Sequence, residues 1–214
     1  MEFDSVFMRE QRRGRSQPAL TQERIVAETI TLLDEKGAAA LTMRGLAARL
    51  GVHATSLYWY VDRREDLIDL ALDEIVRPVA EATPPAGPWD VVVTDSVIRM
   101  YAALTAHPWA SAFFGVRPLI GPNALTMTAR LQATLASAGA PPLTVATVAA
   151  AVSHLAIGAA TTAAAFASLQ LGDDDASRRI VAHLGANSAE QVAWRPEFAD
   201  QLEMLLDGVR ARLG

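Results

Sequence analysis

The chain has 214 residues and is 51% hydrophobic but only 6% aromatic, so it is long enough to bury its own core and builds that core from Ala, Leu and Val. It has no cysteine, which excludes disulfides, thiolate metal sites and cysteine nucleophiles. A net charge of −5 excludes a wholly basic surface, yet residues 1–64 carry ten basic against eight acidic side chains and residues 65–214 nine against sixteen, a mildly basic head on an acidic body that points to a polyanion at one end.

The elements read as helices throughout. Residues 1–17 are polar, with Arg9, Arg12, Arg13 and Arg15 close together, and are expected to form a disordered basic arm that lacks the apolar run of a secretory signal. Thr21 is placed to cap a first helix carrying Ile25, Val26, Ile30, Leu32 and Leu33, which Gly37 stops. Thr42 caps a short second helix, Met43 to Leu50, that ends at Gly51. A third runs from Ala54 to Tyr60. Asp62 is expected to cap a fourth, Arg63 to Glu81. After the break PPAGP at 84–88, helices are predicted over Trp89–Ala106, a short stretch through Phe114, Asn123–Ser137, Leu143–Leu171, Ala176–Leu184 and Pro196–Leu213. The expected fold is all-α, with a helix-turn-helix domain over 18–66 and a second helical domain over 67–214. The stretch from Leu131 to Gly172 holds no Asp, Glu, Lys or Arg, but its helix is mostly Ala, Thr and Ser, a composition for a helix–helix interface and not for lipid. A cytoplasmic protein without a membrane anchor is expected.

The sharpest signal lies at residues 42–60. Two short helices joined by a tight glycine turn, with the small Ala47 at the crossing, make a helix-turn-helix. Val52, Leu57 and Val61 supply anchors to the core. His53, Ala54, Thr55, Tyr58 and Trp59 are left outside, with Ser56 and Tyr60 at the flanks. Hydroxyls and methyls on such a face suit base edges and phosphates in a major groove. Arg63 and Arg64 stand at a helix N-terminus where they can clamp phosphates, and Arg44 is placed for a phosphate or a base edge.

The run "TQERIVAETITLLDEKGAAALTMRGLAARLGVHATSLYWYVDRREDLIDLALDEI", residues 21–75, resembles the DNA-binding domain of the tetracycline-repressor (TetR) family. Its Tyr-Trp pair is more similar to the tetracycline repressors proper than to the wider family. Weaker resemblance continues at Trp89-Asp90, Ala106-His107, "GVRP" at 115–118 and "SHLAIG" at 153–158. The resemblance implies an all-helical homodimer that binds a palindromic double-stranded DNA operator and is released by an inducer. Its DNA contacts fall on Arg44, Ala54, Thr55, Ser56, Tyr58, Trp59, Tyr60 and Arg64. Ala54 and Thr55 replace residues that give the tetracycline repressors their base specificity, so a different operator sequence is implied. Phe113-Phe114 stand where those repressors place a magnesium-binding His, and Ala80 where they place another inducer-contacting His. Both substitutions argue against a magnesium–tetracycline inducer, and no cofactor or metal is expected.

What remains for a pocket is mostly apolar: Met100, Leu104, Trp109, Phe113, Phe114, Met127, Leu131 and Phe166, with Arg117 and His154 as candidate polar anchors. A small hydrophobic inducer fits that lining. Each has a plainer reading, the phenylalanines as core, Arg117 as a salt-bridged loop residue and His154 as a hydrogen-bonded interior histidine. The 143–171 helix and the last helix are expected to form an interchain four-helix bundle, with Gly158, Ala159, Ala163 and Ala167 permitting close approach. Two alternatives stand beside the ligand-responsive repressor. One is a helical-bundle enzyme or binding protein with an incidental helix-turn-helix corner, although no nucleophile–base pair or phosphate loop supports catalysis. The other is a DNA-binding dimer that answers to a partner protein.

Overall fold

A computed structural model describes residues 4–9, 20–168, 172, 174–183 and 197–213. Ten α-helices are described: α1 (Gln22–Lys36), α2 (Met43–Leu50), α3 (Ala54–Leu57), α4 (Arg64–Ile75), α5 (Arg77–Glu81), α6 (Trp89–Ala106), α7 (Pro122–Ser137), α8 (Pro142–Ala167), α9 (Asp175–His183) and α10 (Glu197–Leu213), with 3-10 turns at Val6–Met8, Ala38–Ala40 and Pro108–Ala112. The chain divides into two compact units, Met1–Glu81 with Ala112–Met127, and Ala82–Ser111 with Thr128–Gly214. In this grouping α4, α5 and residues 112–127 go with the helix-turn-helix.

In the first unit the helix ends obey local chemistry. The Thr21 hydroxyl accepts from the Arg24 N–H at 3.2 Å, and the Thr42 hydroxyl from the Gly45 N–H at 3.0 Å. Gly51, at φ 71° and ψ 30°, ends α2: its N–H donates to the Ala48 carbonyl and that of Val52 to the Ala47 carbonyl, the paired bonds of a glycine-terminated helix. The core is Ile25, Leu32, Leu33, Leu46, Leu57, Leu67, Ile68 and Leu72, each at most 3% exposed. Each such side chain contributes roughly 1.5–3 kcal/mol by leaving water.

Three expectations are corrected here. The fourth helix does not run unbroken to Glu81: α4 ends at Ile75 and α5 begins at Arg77. Pro78 is the cause, since it has no N–H to offer the Glu74 carbonyl and its ring crowds that turn. Asp62 is not the cap of α4. Asp66, in the first turn, accepts from the backbone N–H groups of Asp62 at 2.8 Å and Arg63 at 3.2 Å, reaching back over the helix start. The arm expected to be disordered over 1–17 is ordered at Asp4–Arg9, where Val6–Met8 turn once against α4; residues 1–3 and 10–17 lie outside the described residues.

In the second unit α6 presents Val93, Val97, Met100 and Leu104 along one stripe, and α8 packs on it through Val148, Ala149, Val152, Ala156 and Ala160. Alanines on α8 allow close approach. Phe198, Leu202, Leu206 and Val209 of α10 complete this core, and the rings of Tyr101 and Phe198 stack with centroids 4.0 Å apart. Among the described residues α8 is the one helix long and apolar enough to cross a bilayer, and a stripe of it is core of this unit. The expected helix ends at 169–171, 184 and 196 lie outside the described residues.

Candidate nucleic-acid interface

The reading head is built on one buried leucine. α3 is only four residues long, too short to hold itself together, and Leu57 at 0% exposure pins it into the core beneath α2. The third helix expected to reach Tyr60 stops at Leu57. The N–H groups of Tyr60 and Val61 both turn back to the Leu57 carbonyl, at 2.9 and 3.0 Å, and the chain tightens out of the helix.

That turn sorts the three aromatics. Trp59 is 63% exposed and Tyr58 48%. Tyr60 is half-buried, and its hydroxyl donates to the Leu20 carbonyl at 2.6 Å, beside the start of α1. His53 and Thr55 are exposed, and Ala54 and Ser56 are half-buried beside them. Arg44 is exposed on α2 and has no ion-pair partner among the described residues.

The other arginines of this face are committed internally. Arg64 donates from Nε to the Leu41 carbonyl at 2.9 Å and from Nη2 to the Ala38 carbonyl at 2.6 Å, tying α4 to the loop before α2. Arg63 pairs with the Asp4 carboxylate at 2.7 Å and with Asp66 at 3.3 Å. Both guanidinium groups, expected at phosphates, are bonded within the first unit. Arg49 pairs with Glu28 and Glu35, whose hydrogen bonds, Glu35's first, raise its pKa above the ordinary arginine value.

Sequence reasoning missed a ladder of carboxylates on α4. Asp66, Asp69 and Asp73 are buried, at 0, 5 and 5% exposure. Asp69 receives the Arg117 guanidinium and the Ser5 hydroxyl. Asp73 accepts from the N–H groups of Asn123 and Ala124, at 3.2 and 3.0 Å, and so caps the start of α7. Their spacing of three and four residues was the available signal, for it puts all three on one helix face.

The expected pocket residues fall in both units. In the second, Met100, Leu104, Trp109 and Leu131 are buried core, and Phe166 is half-buried on α8. His154 is exposed, not interior, and lines a cleft of about 260 Å³ with Tyr101, Gly158, Thr162 and Phe198. Another cleft in that unit, about 520 Å³, is lined by Trp89, Val92, Arg130 and Ala133. In the first unit Phe113, Phe114 and Met127 are half-buried. Arg117 is salt-bridged to Asp69.

The family model described as "Bacterial regulatory proteins, tetR family" matches residues 25–71. An HTH-type transcriptional regulator of Saccharopolyspora erythraea is 34% identical over 98% of this chain and 93% of its own length. The HTH-type transcriptional repressor DrrR1 of Streptomyces coeruleorubidus is 35% identical over 50% of this chain and 40% of its own. Among solved structures, a possible TetR family regulator of Streptomyces coelicolor superposes with a TM-score of 0.75 at 28% identity, covering 89% of this chain and 99% of that one. The TetR family protein ActR of the same organism, in complex with (S)-DNPA, gives 0.69 at 25% identity, covering 91% and 99%. With a helix-turn-helix of this geometry and a relative alike over nearly its whole length, the chain belongs to the tetR family of bacterial regulatory proteins, which are DNA-binding transcriptional regulators and not enzymes.

Proposed function

We propose that this regulator represses transcription as a homodimer, reading a palindromic operator in the cytoplasm and leaving it when a small hydrophobic molecule binds. The carrying observation is the exposed Tyr58-Trp59 pair in the turn that follows α3, apolar surface that the fold leaves uncovered while it buries Leu57 and bonds Tyr60. Thr55, His53, Ala54 and Ser56 share that face and would supply the base contacts, with Arg44 on a phosphate. The repressor DrrR1 supports the direction of control, and ActR with its bound (S)-DNPA supports a small-molecule effector.

Dimerisation would use α8 and α10, where His154, Gly158, Thr162 and Met204 are exposed. A dimer fixes the distance between two reading heads, and half-site spacing is a strict geometric requirement. An inducer lowers operator affinity only by preferring an arrangement with the wrong spacing. The apolar side chains Met100, Leu104, Trp109, Leu131 and Phe166 of the second unit favour a hydrophobic effector.

A mobility shift on the DNA flanking the protein's own gene tests this. Tyr58→Ala with Trp59→Ala should weaken specific binding by about tenfold or more while leaving the circular dichroism of the protein unchanged. Undiminished binding by the double variant sinks the residue assignment. Absence of specific binding to any palindromic site, at moderate salt, sinks the reading as a whole.

A further inference from the structure

We infer that Ser5 and Arg9 are positioning residues for the DNA-reading head: the segment Asp4–Arg9 is a strap that locks the joint between the recognition turn and α4. The inference rests on the DNA-binding reading above.

The joint is short. Tyr58-Trp59-Tyr60 lead through Val61 directly into Asp62-Arg63, where α4 begins, so the angle at which the aromatics leave the protein is set at Asp62 and Arg63. Arg9 spans that joint with the fork of its guanidinium. Nη1 holds the Asp62 carboxylate at 2.6 Å, and Nη2 holds Asp66, the acid that caps α4. Two-point capture by a planar fork fixes orientation as well as distance.

Arg9 is itself held. Its Nε lies 3.5 Å from the Ser5 carbonyl and 3.4 Å from the Asp4 carboxylate. Ser5 is 1% exposed, and its hydroxyl donates to the buried Asp69 one turn further along α4. Asp4 receives Arg63 on both its carbonyl, at 2.8 Å, and its carboxylate, at 2.7 Å, and its carbonyl also accepts from Arg117 at 3.1 Å. A loosely tethered arm would not bury a serine hydroxyl on an aspartate or spend its charges on one helix start. Arg9 is engaged by carboxylates and not turned outward to a phosphate, so it acts on DNA through Asp62 and Asp66.

The test uses the full chain with Arg9→Gln, Ser5→Ala and the milder Arg9→Lys, which keeps the charge but not the fork. Two readouts separate positioning from a bulk structural role. Amide exchange over residues 58–66 reports the joint directly. Fluorescence anisotropy across a salt series, on the DNA flanking the gene and on a random duplex of equal length, reports the specificity ratio. Arg9→Gln should speed exchange at 58–66 and lower the specific affinity about tenfold. Random-duplex affinity and the salt slope should stay as in the parent, with Arg9→Lys in between. A salt slope reduced by about one, with both duplexes weakened alike, overturns the inference by making Arg9 a phosphate contact. Unchanged exchange at 58–66 overturns it by making the strap a bystander. If the parent protein itself shows no specific duplex, the DNA-binding reading fails separately, and the exchange result alone decides the strap.

Discussion

Asp73 offers the most sharply calculable perturbation. Its carboxylate sits on α4 yet closes another helix, accepting from the Asn123 N–H, the Ala124 N–H and the Asn123 side-chain amide at 3.2, 3.0 and 3.0 Å. Asp73→Ala removes an N-terminal cap, about 0.5–2 kcal/mol, and a buried negative charge at a helix N-terminus, up to about 2 kcal/mol. Relief of the carboxylate's own burial offsets part of this, so the net loss is about 2–3 kcal/mol. For a chain of this length that lowers the Tm by about 5–10 °C. Gly121 turns the number into a stricter test. A Cβ on Gly121 would overlap the Asp73 carboxyl group, and the Gly121 backbone is otherwise compatible with alanine. Gly121→Ala alone should therefore cost about 1–3 kcal/mol by overpacking. In the Asp73→Ala background the carboxyl group is gone but the Cβ of residue 73, 2.6 Å from the added one, remains, so the same substitution should cost less without becoming free. Urea denaturation of the four proteins measures the cycle, with the Gly121→Ala cost expected to be smaller in the Asp73→Ala background than in the parent. An additive cycle, or an Asp73→Ala loss below about 0.5 kcal/mol, refutes the assignment of Asp73 as the cap of α7.

Other perturbations follow from single contacts. Tyr60→Phe removes the hydroxyl that donates to the Leu20 carbonyl and should lower stability by about 1 kcal/mol in urea, while operator affinity falls far less than for Trp59→Ala in a mobility shift. Gly51→Ala places a side chain at φ 71° and should cost about 1–2 kcal/mol by the same denaturation, because an L residue in that region meets its own carbonyl. In the second unit a hydrogen bond from Arg210, at 2.7–2.8 Å, holds the Asp90 carboxyl below its ordinary pKa. A depressed folded pKa gives stability that is present above the unfolded value, about 3.9, and is lost as pH falls through the folded value. The stability gap between the parent and Asp90→Asn should thus narrow between about pH 5 and about pH 2, read by thermal melts across that range.

The helix-turn-helix was legible because its determinants are local. Thr42, Gly51 and Leu57 each act within a few residues of themselves, and the bounds of α2 and α6 match those expected from period and punctuation. The strap and the acid ladder were not legible, for a common reason. Hydrophobic periodicity assigns an aspartate to solvent unless its partner is known, and the partners of Asp66, Asp69 and Asp73 stand 48 to 64 residues away at Arg9, Arg117, Ser5 and Asn123. Distance along the chain also hid the bonds of Arg63 to Asp4, 59 residues away, and of Arg64 to the Leu41 and Ala38 carbonyls, 23 and 26 residues away. Pro78 is a different kind of omission. The break it makes in the fourth helix follows from a local rule and was there to be read.

The acid ladder also answers a question that the apolar stripe of α4 leaves open. Nine of its twelve residues are buried, among them Leu67, Ile68, Leu70, Ala71 and Leu72 in succession. Apolar side chains spread over so wide an arc fix the rotation of α4 about its axis only loosely, because neighbouring rotations bury nearly equal area. Asp69 removes that freedom, since only one rotation brings it to Arg117 and Ser5 while Asp66 meets Arg9. Buried ion pairs of this kind add little net stability against an apolar substitute, so their effect falls on which arrangement is adopted. Joint replacement by Asp69→Leu and Arg117→Met should accordingly cost no more than the roughly 1–3 kcal/mol of leaving the buried Ser5 hydroxyl without its acceptor. Because α4 begins at the recognition turn, the same double variant should lose discrimination between operator and random duplex. Single replacement of either partner strands a buried charge and should cost about 3–5 kcal/mol. A double variant that kept full discrimination would show that the apolar packing alone sets the rotation of α4.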